Sequence, residues 1–171
     1  KMFRMGLEGG KPAAGAVGVQ PEWFYKGDGA LLVGPGAPLV APSFAQDGVN
    51  WLGLSASPDL NGFSTSWAVP GVSFIAAPAG AVDPKSLVAN VDAQAAGQCQ
   101  PSAQQEPWAD GYSTGVYSYW TNCGGQGTDF AIIGAVTDDG GSVISIQIQM
   151  ISAFDKNEAL QKILQTYYVI P

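Results

Sequence analysis

The stretch Ser142-Val143-Ile144-Ser145-Ile146-Gln147-Ile148-Gln149-Met150 constrains the fold more than any other part of the chain. Ile144, Ile146, Ile148 and Met150 fall on one side and Ser145, Gln147 and Gln149 on the other, the period-2 signature of a strand. One side must be buried, and the other must meet water or polar contacts. Asp138-Asp139-Gly140-Gly141 stands just before it and reads as a hairpin turn, so the strand expected at residues 129–136 should lie antiparallel beside it. A third strand is expected at residues 112–121 and a fourth at 71–76.

Helix signals are interleaved with these strands. Asp83-Pro84 supplies a cap residue followed by the position that proline favours, and the helix after it puts Leu87, Val88, Val91 and Ala95 on one face before ending at Gly97. That apolar face should lie on the sheet. Asp59 is placed to cap a short helix with Leu60, Phe63, Ser64 and Trp67 at helical intervals. Asp155, with Glu158 three residues on, reads as a capping box for a helix whose buried stripe is Ala159, Leu160, Ile163 and Leu164. Tyr167-Tyr168-Val169-Ile170 then reads as a terminal strand.

The N-terminal part is less regular. Residues 1–15 read as a flexible lead-in or linker, with strands expected at 16–19 and 30–33 around the aromatic run Trp23-Phe24-Tyr25 and the turn Lys26-Gly27-Asp28-Gly29. Residues 34–50, rich in Pro and Gly, read as a long ordered loop, a length that is often functional. Strands joined by hairpins, with helices inserted, give an α+β fold class: one domain over residues 16–171, an antiparallel β-sheet flanked by helices. At 171 residues the chain can bury an adequate core without a staple.

Cys99 and Cys123 are the two cysteines of a chain with no histidine. Two cysteines alone cannot complete a zinc site, so a structural disulfide is the simplest reading, with a free or redox-active pair as the alternative. A bridge closing a loop of about 25 residues is worth roughly 3–4 kcal/mol in the chain-entropy model and points to an oxidising compartment. The chain carries 7 basic and 14 acidic residues, and four of the bases (Lys1, Arg4, Lys11, Lys26) lie near its start. Nucleic acid and anionic membrane surfaces are therefore poor partners. No apolar run reaches the ~20 residues of a spanning helix, and the first seven residues lack a signal peptide's apolar stretch.

Without histidine, a hydrolase triad lacks its usual base. A Ser/Lys dyad would need a buried lysine, and Lys85, Lys156 and Lys162 all fall where helix surfaces are expected. Asp138 and Asp139 read as turn residues, and a calcium site built on them lacks loop spacing. The expectation is a non-enzyme without a cofactor or metal. The aromatics are too numerous for every ring to face inward, because neighbours on a strand point to opposite faces. Trp23, Phe24, Tyr25, Trp51, Trp108, Tyr119 and Trp120 are the candidates for a binding or interface surface.

Several segments carry a family resemblance in their order and spacing. They are Val17-Gly18-Val19-Gln20-Pro21-Glu22-Trp23, Ala56-Ser57-Pro58-Asp59-Leu60-Asn61-Gly62-Phe63, Trp67-Ala68-Val69-Pro70-Gly71-Val72, Tyr117-Ser118-Tyr119-Trp120-Thr121-Asn122-Cys123-Gly124 and the closing helix from Ala159. From about residue 16 to its end the chain resembles PsbP-like secreted bacterial α+β domains, as found in surface proteins and appended to extracellular serine proteases. The resemblance implies an antiparallel sheet flanked by helices with the two cysteines bridged, and it implies no activity. Residues 21–29 are also similar to a segment in enzymes of the fumarylacetoacetate hydrolase type, but the clustered acidic metal ligands of those enzymes have no counterpart here. The expected role is thus binding or structural assembly outside the cell or on its surface, through a protein partner or self-association; the alternatives are a carbohydrate- or peptide-binding module acting through exposed aromatics, with a glycan as a further partner, and a hydrolase or lyase that uses carboxylates alone.

Overall fold

The computed structural model describes residues 2–5, 16–17, 39–40, 43–46 and 48–170. The strands are β1 (Met2–Met5), β2 (Ala16–Val17), β3 (Leu39–Val40), β4 (Ser43–Gln46), β5 (Val49–Ala56), β6 (Gly71–Pro78), β7 (Gln100–Ala109), β8 (Ser113–Cys123), β9 (Thr128–Thr137), β10 (Ser142–Met150) and β11 (Tyr167–Ile170). The helices are α1 (Leu60–Thr65), α2 (Pro84–Ala95) and α3 (Leu160–Thr166), the last entered through a wide π-turn (Asp155–Ala159). Seven strands form one antiparallel sheet in the order β4-β5-β6-β10-β9-β8-β7. The alternating strand read first from the sequence, β10, sits at its centre.

The sheet's two faces are filled differently. Val72, Phe74, Ile133, Ile144, Ile146, Ile148 and Met150 make the larger core on one face, against Leu160, Ile163 and Leu164 of α3. On the other face α2 lays Val88, Val91 and Ala95 on Val116, Trp120, Phe130 and Ile132. Its first turn reaches the backbone, because a Cβ at Gly134 would stand 2.5 Å from the carbonyl oxygen of Pro84. Asp83 accepts from the Ser86 N–H at 3.1 Å, so the cap and the proline at N1 start this helix as their sequence implies. Asp59 likewise accepts from the Gly62 N–H at 3.0 Å and starts α1.

Four features differ from the sequence reading. Residues 34–50 are not one loop, since Ser43–Gln46 pairs with β5 around a turn at Gly48 (φ 75°) and Leu39–Val40 pairs with β2. Pairing between partners distant in sequence overrides a composition that favours loops. Met2–Met5, within the expected lead-in, pairs antiparallel with β11. Gln100–Ala109, a polar run holding Pro101 and Pro107, is an edge strand, the one place in a sheet where prolines fit. Its register slips twice, and Gln105 at the bulge has φ 50°.

The fourth correction concerns the last helix. Ser152, rather than Asp155, is the cap: its Oγ accepts from the Asp155 N–H at 3.1 Å while the Asp155 carboxylate accepts from the Ser152 N–H at 2.8 Å. The capping box is real but begins three residues earlier, and Glu158 is left within the π-turn. Residues Trp23, Phe24 and Tyr25, and the strand expected at 30–33, lie outside the described residues. Among the described residues no helix is long and apolar enough to cross a membrane.

Candidate functional site: an uncharged cleft on the sheet

On the α2 face the helix covers only part of the sheet. Beside it, between α1 and α2, a cleft of about 680 Å³ opens onto strands β5, β6 and β10. Antiparallel register builds its floor: Ser55 stands opposite Ser73, and Ser73 opposite Gln147, so three polar side chains cross three strands in a row. The Ser55 hydroxyl donates to Ser73 Oγ at 3.1 Å, and Ser73 and Gln147 both line the cleft. The next row runs Gly71, Gln149, Phe130.

Gln149 is 5 % exposed, and its amide N–H groups donate to the carbonyls of Ser66 (2.9 Å) and Val69 (2.6 Å). This ties the chain after α1 to the floor and fixes the wall bearing Phe63 and Trp67. Phe63 packs flat on the strand because Gly71 has no side chain; a Cβ there would stand 2.5 Å from the ring. Trp67, partly buried, is fixed by several contacts. Its indole N–H donates to Gln98 Oε1 at 2.9 Å, its ring meets Phe130 edge-on at 5.5 Å, and its carbonyl accepts from Thr128 Oγ1 at 2.6 Å. Its other contact is Gly124, where a Cβ would come within 2.9 Å of the indole.

The cysteines belong to this arrangement. Cys99 and Cys123 are bridged, Cys123 is fully buried, and the Gly124 N–H donates to the Gln98 carbonyl at 2.9 Å. The bridge thus clamps Gln98 and Gly124, the two residues that seat Trp67, as well as the exit of α2. Every described lining residue is uncharged. Among the described residues the Gln94 and Gln147 side chains have no hydrogen-bond partner, although both line the cleft.

Two polar clusters lie outside it. Beneath α2, Asp92 accepts from the Trp120 indole at 2.8 Å and from Ser118 Oγ at 2.9 Å, and Ser118 Oγ in turn accepts from the Gln105 N–H at the β7 bulge. On the opposite face the Tyr119 hydroxyl donates to Asp129 at 2.8 Å, and Lys156 pairs with Asp129 at 3.0 Å while donating to the Gly127 carbonyl. Burial first, and then the hydrogen bond to Asp129 and its charge, push the Tyr119 phenol well above its ordinary range.

Of the aromatics singled out from the sequence, none with a described position lines the cleft. Trp51 and Trp120, expected among interface candidates, are core residues at 6 % and 4 % exposure, one against Ala77 and Val143 and the other under α2. Trp108 and Tyr119 are half-buried on the α3 face, Trp108 meeting Tyr117 edge-on at 6.2 Å. Of the cleft's own rings, Trp67 stands among the chain's surplus aromatics and shares with Phe63 the helical spacing after Asp59, whereas Phe130 was legible only indirectly, through the polar side chains that alternate in β10. Asp138 and Asp139 stand in the hairpin turn, where Asp139 accepts from Thr137 Oγ1 (2.6 Å) and the Gly141 N–H (2.8 Å). Among the described residues no group of three or more potential metal ligands gathers.

Comparison with protein-family models, with curated proteins and with solved structures finds no match to this chain.

Proposed function

We propose that this chain is a non-enzymatic, secreted or surface-displayed binding module of PsbP-like type, and that the cleft between α1, α2 and the sheet is where it binds. The observation that carries the reading is the cleft itself: a volume of about 680 Å³ walled by aromatics and floored by hydroxyls and amides, within the ~300–1,000 Å³ usual for small-ligand sites. No acid, base or activated nucleophile stands among its described lining residues, which favours binding without turnover. Carboxylates elsewhere are occupied in caps and turns, as at Asp59, Asp83, Asp139 and Asp155.

The disulfide supports an extracellular setting, and an antiparallel sheet flanked by helices is what the PsbP-like resemblance implies. Assembly by adding strands to β7 is disfavoured, since Pro101, Pro107 and the bulge at Gln105 interrupt that edge. The test is nuclear magnetic resonance of the isotopically labelled protein with a library of small neutral and charged compounds. Neutral compounds should shift the Trp67 indole and the Gln94, Gln98 and Gln147 side-chain amides; hits that leave these signals untouched would remove the cleft as the site. Native alkylation of both cysteines in protein isolated from its own compartment would remove the extracellular setting.

A further inference from the structure

Resting on that reading, we infer that the cleft takes a neutral saccharide. The charge of the ligand follows first. A cationic or anionic group entering the cleft would lose water and find no counter-ion among the described lining residues, and the chain's net charge of −7 opposes anions from a distance.

The pattern of donors and acceptors follows next. Ser73 offers a hydroxyl, Gln147 and Gln94 offer whole amides, and Gln98 keeps its N–H groups after its Oε1 has accepted from Trp67. Each amide presents donors and an acceptor close together. Sugar hydroxyls, which both donate and accept, match such a surface. The C–H faces of a pyranose match the rest, namely Phe63 and Trp67 on the α1 wall and Phe130 at the end of the floor.

A peptide fits less well. Extended peptides that add a strand do so by main-chain hydrogen bonds at a free sheet edge, whereas Ser73 and Gln147 stand on β6 and β10, whose backbones are paired on both sides at those residues. Around Ser73 and Gln147 the cleft offers side chains at the face of interior strands.

The test uses the 171-residue chain with maltose, cellobiose and N,N′-diacetylchitobiose as neutral probes, glucosamine and galacturonic acid as charged ones, and the peptide Gly-Gln-Pro. The Trp67 indole N–H resonance and the side-chain amide signals of Gln94, Gln98 and Gln147 are followed. At least one neutral saccharide should move these signals, bind about tenfold more tightly than either charged probe, and lose about tenfold affinity in Gln147→Ala, a loss typical of removing one well-placed contact. Trp67→Ala should lose as much, and Gln147→Ala guards the result should the tryptophan variant fold poorly. If the peptide alone occupies the cleft, the saccharide falls and the binding site stands. If a charged probe binds best, the saccharide falls too, and if no probe of any class moves the cleft signals, both proposals fall.

Discussion

Two halves of one sheet face can be set side by side. Under α2 one cluster is closed on itself: Asp92 takes the Trp120 indole and the Ser118 hydroxyl, and Ser118 takes a backbone N–H from the β7 bulge. Two strands away, in the cleft, Gln147 and Gln94 have no partner among the described residues. Similar side chains on the same face thus do different work, depending on whether a helix lies over them. The buried indole of Trp120 and hydroxyl of Ser118 would cost stability if unpaired, and Asp92 pairs both. The Gln94 and Gln147 amides in the cleft have no such partner among the described residues.

The largest expected effect comes from removing the bridge, which joins the two halves at the exit of α2. Cys99→Ala with Cys123→Ala should lower stability by about 3–4 kcal/mol, or roughly 10 °C in melting temperature for a chain of this size. Urea unfolding measures it. The Trp67 indole signal should also broaden in the native protein, because Gln98 and Gly124 are then released from each other. A loss of stability with an unchanged indole signal would detach the bridge from the cleft.

Asp92→Ala comes next. It leaves the Trp120 N–H and the Ser118 hydroxyl without their acceptor beneath a helix, at a cost of about 2–3 kcal/mol. Asp92→Asn, which keeps an acceptor for one of the two, should recover part of that. Gln149→Ala should cost less, about 1–2 kcal/mol, because it frees two carbonyls near the cleft's edge where water can reach them. Its sharper consequence is a looser Phe63–Trp67 wall, visible as faster hydrogen exchange after α1.

Alkaline titration probes the opposite face. The phenol of an unfolded chain ionises near pH 10, while in the fold burial and Asp129 hold the Tyr119 proton to higher pH. Its contribution is therefore fully present below about pH 10 and is lost as the pH rises through the folded value. The melting temperature should fall over that range, and Tyr119→Phe should flatten the fall. An equal decline in both proteins would place its cause elsewhere.

Much of this fold was readable where local signals and tertiary demands agree. Asp83-Pro84 and Asp59 start their helices, and the alternation in β10 does set one apolar face against one polar face. Reading failed where pairing alone decides. β7 shows two prolines and little hydrophobicity, and only the neighbouring β8 makes it a strand. The same limit hid the cleft, since Ser55, Ser73 and Gln147 become neighbours by register across three strands, a relation that spacing along the chain does not encode. The aromatics misled for a related reason: a tryptophan such as Trp120 can be buried when a carboxylate from another element takes its N–H.

The smallest effect is the most telling for the comparison. Gln147→Ala removes a half-buried polar side chain from the middle of a seven-stranded sheet, a place where truncation ordinarily costs stability. Its amide bonds to no described residue, so the change should stay within about 0.5 kcal/mol in urea unfolding. Asp92→Ala, one helix away, removes a side chain with two partners and should cost several times more. If the two variants proved equally destabilising, Gln147 would be part of the packing, and the distinction between a paired half and an open half of the sheet would not hold. If Gln147→Ala is neutral, the fold has no need of that amide, and a role in contacting what enters the cleft is what remains for it.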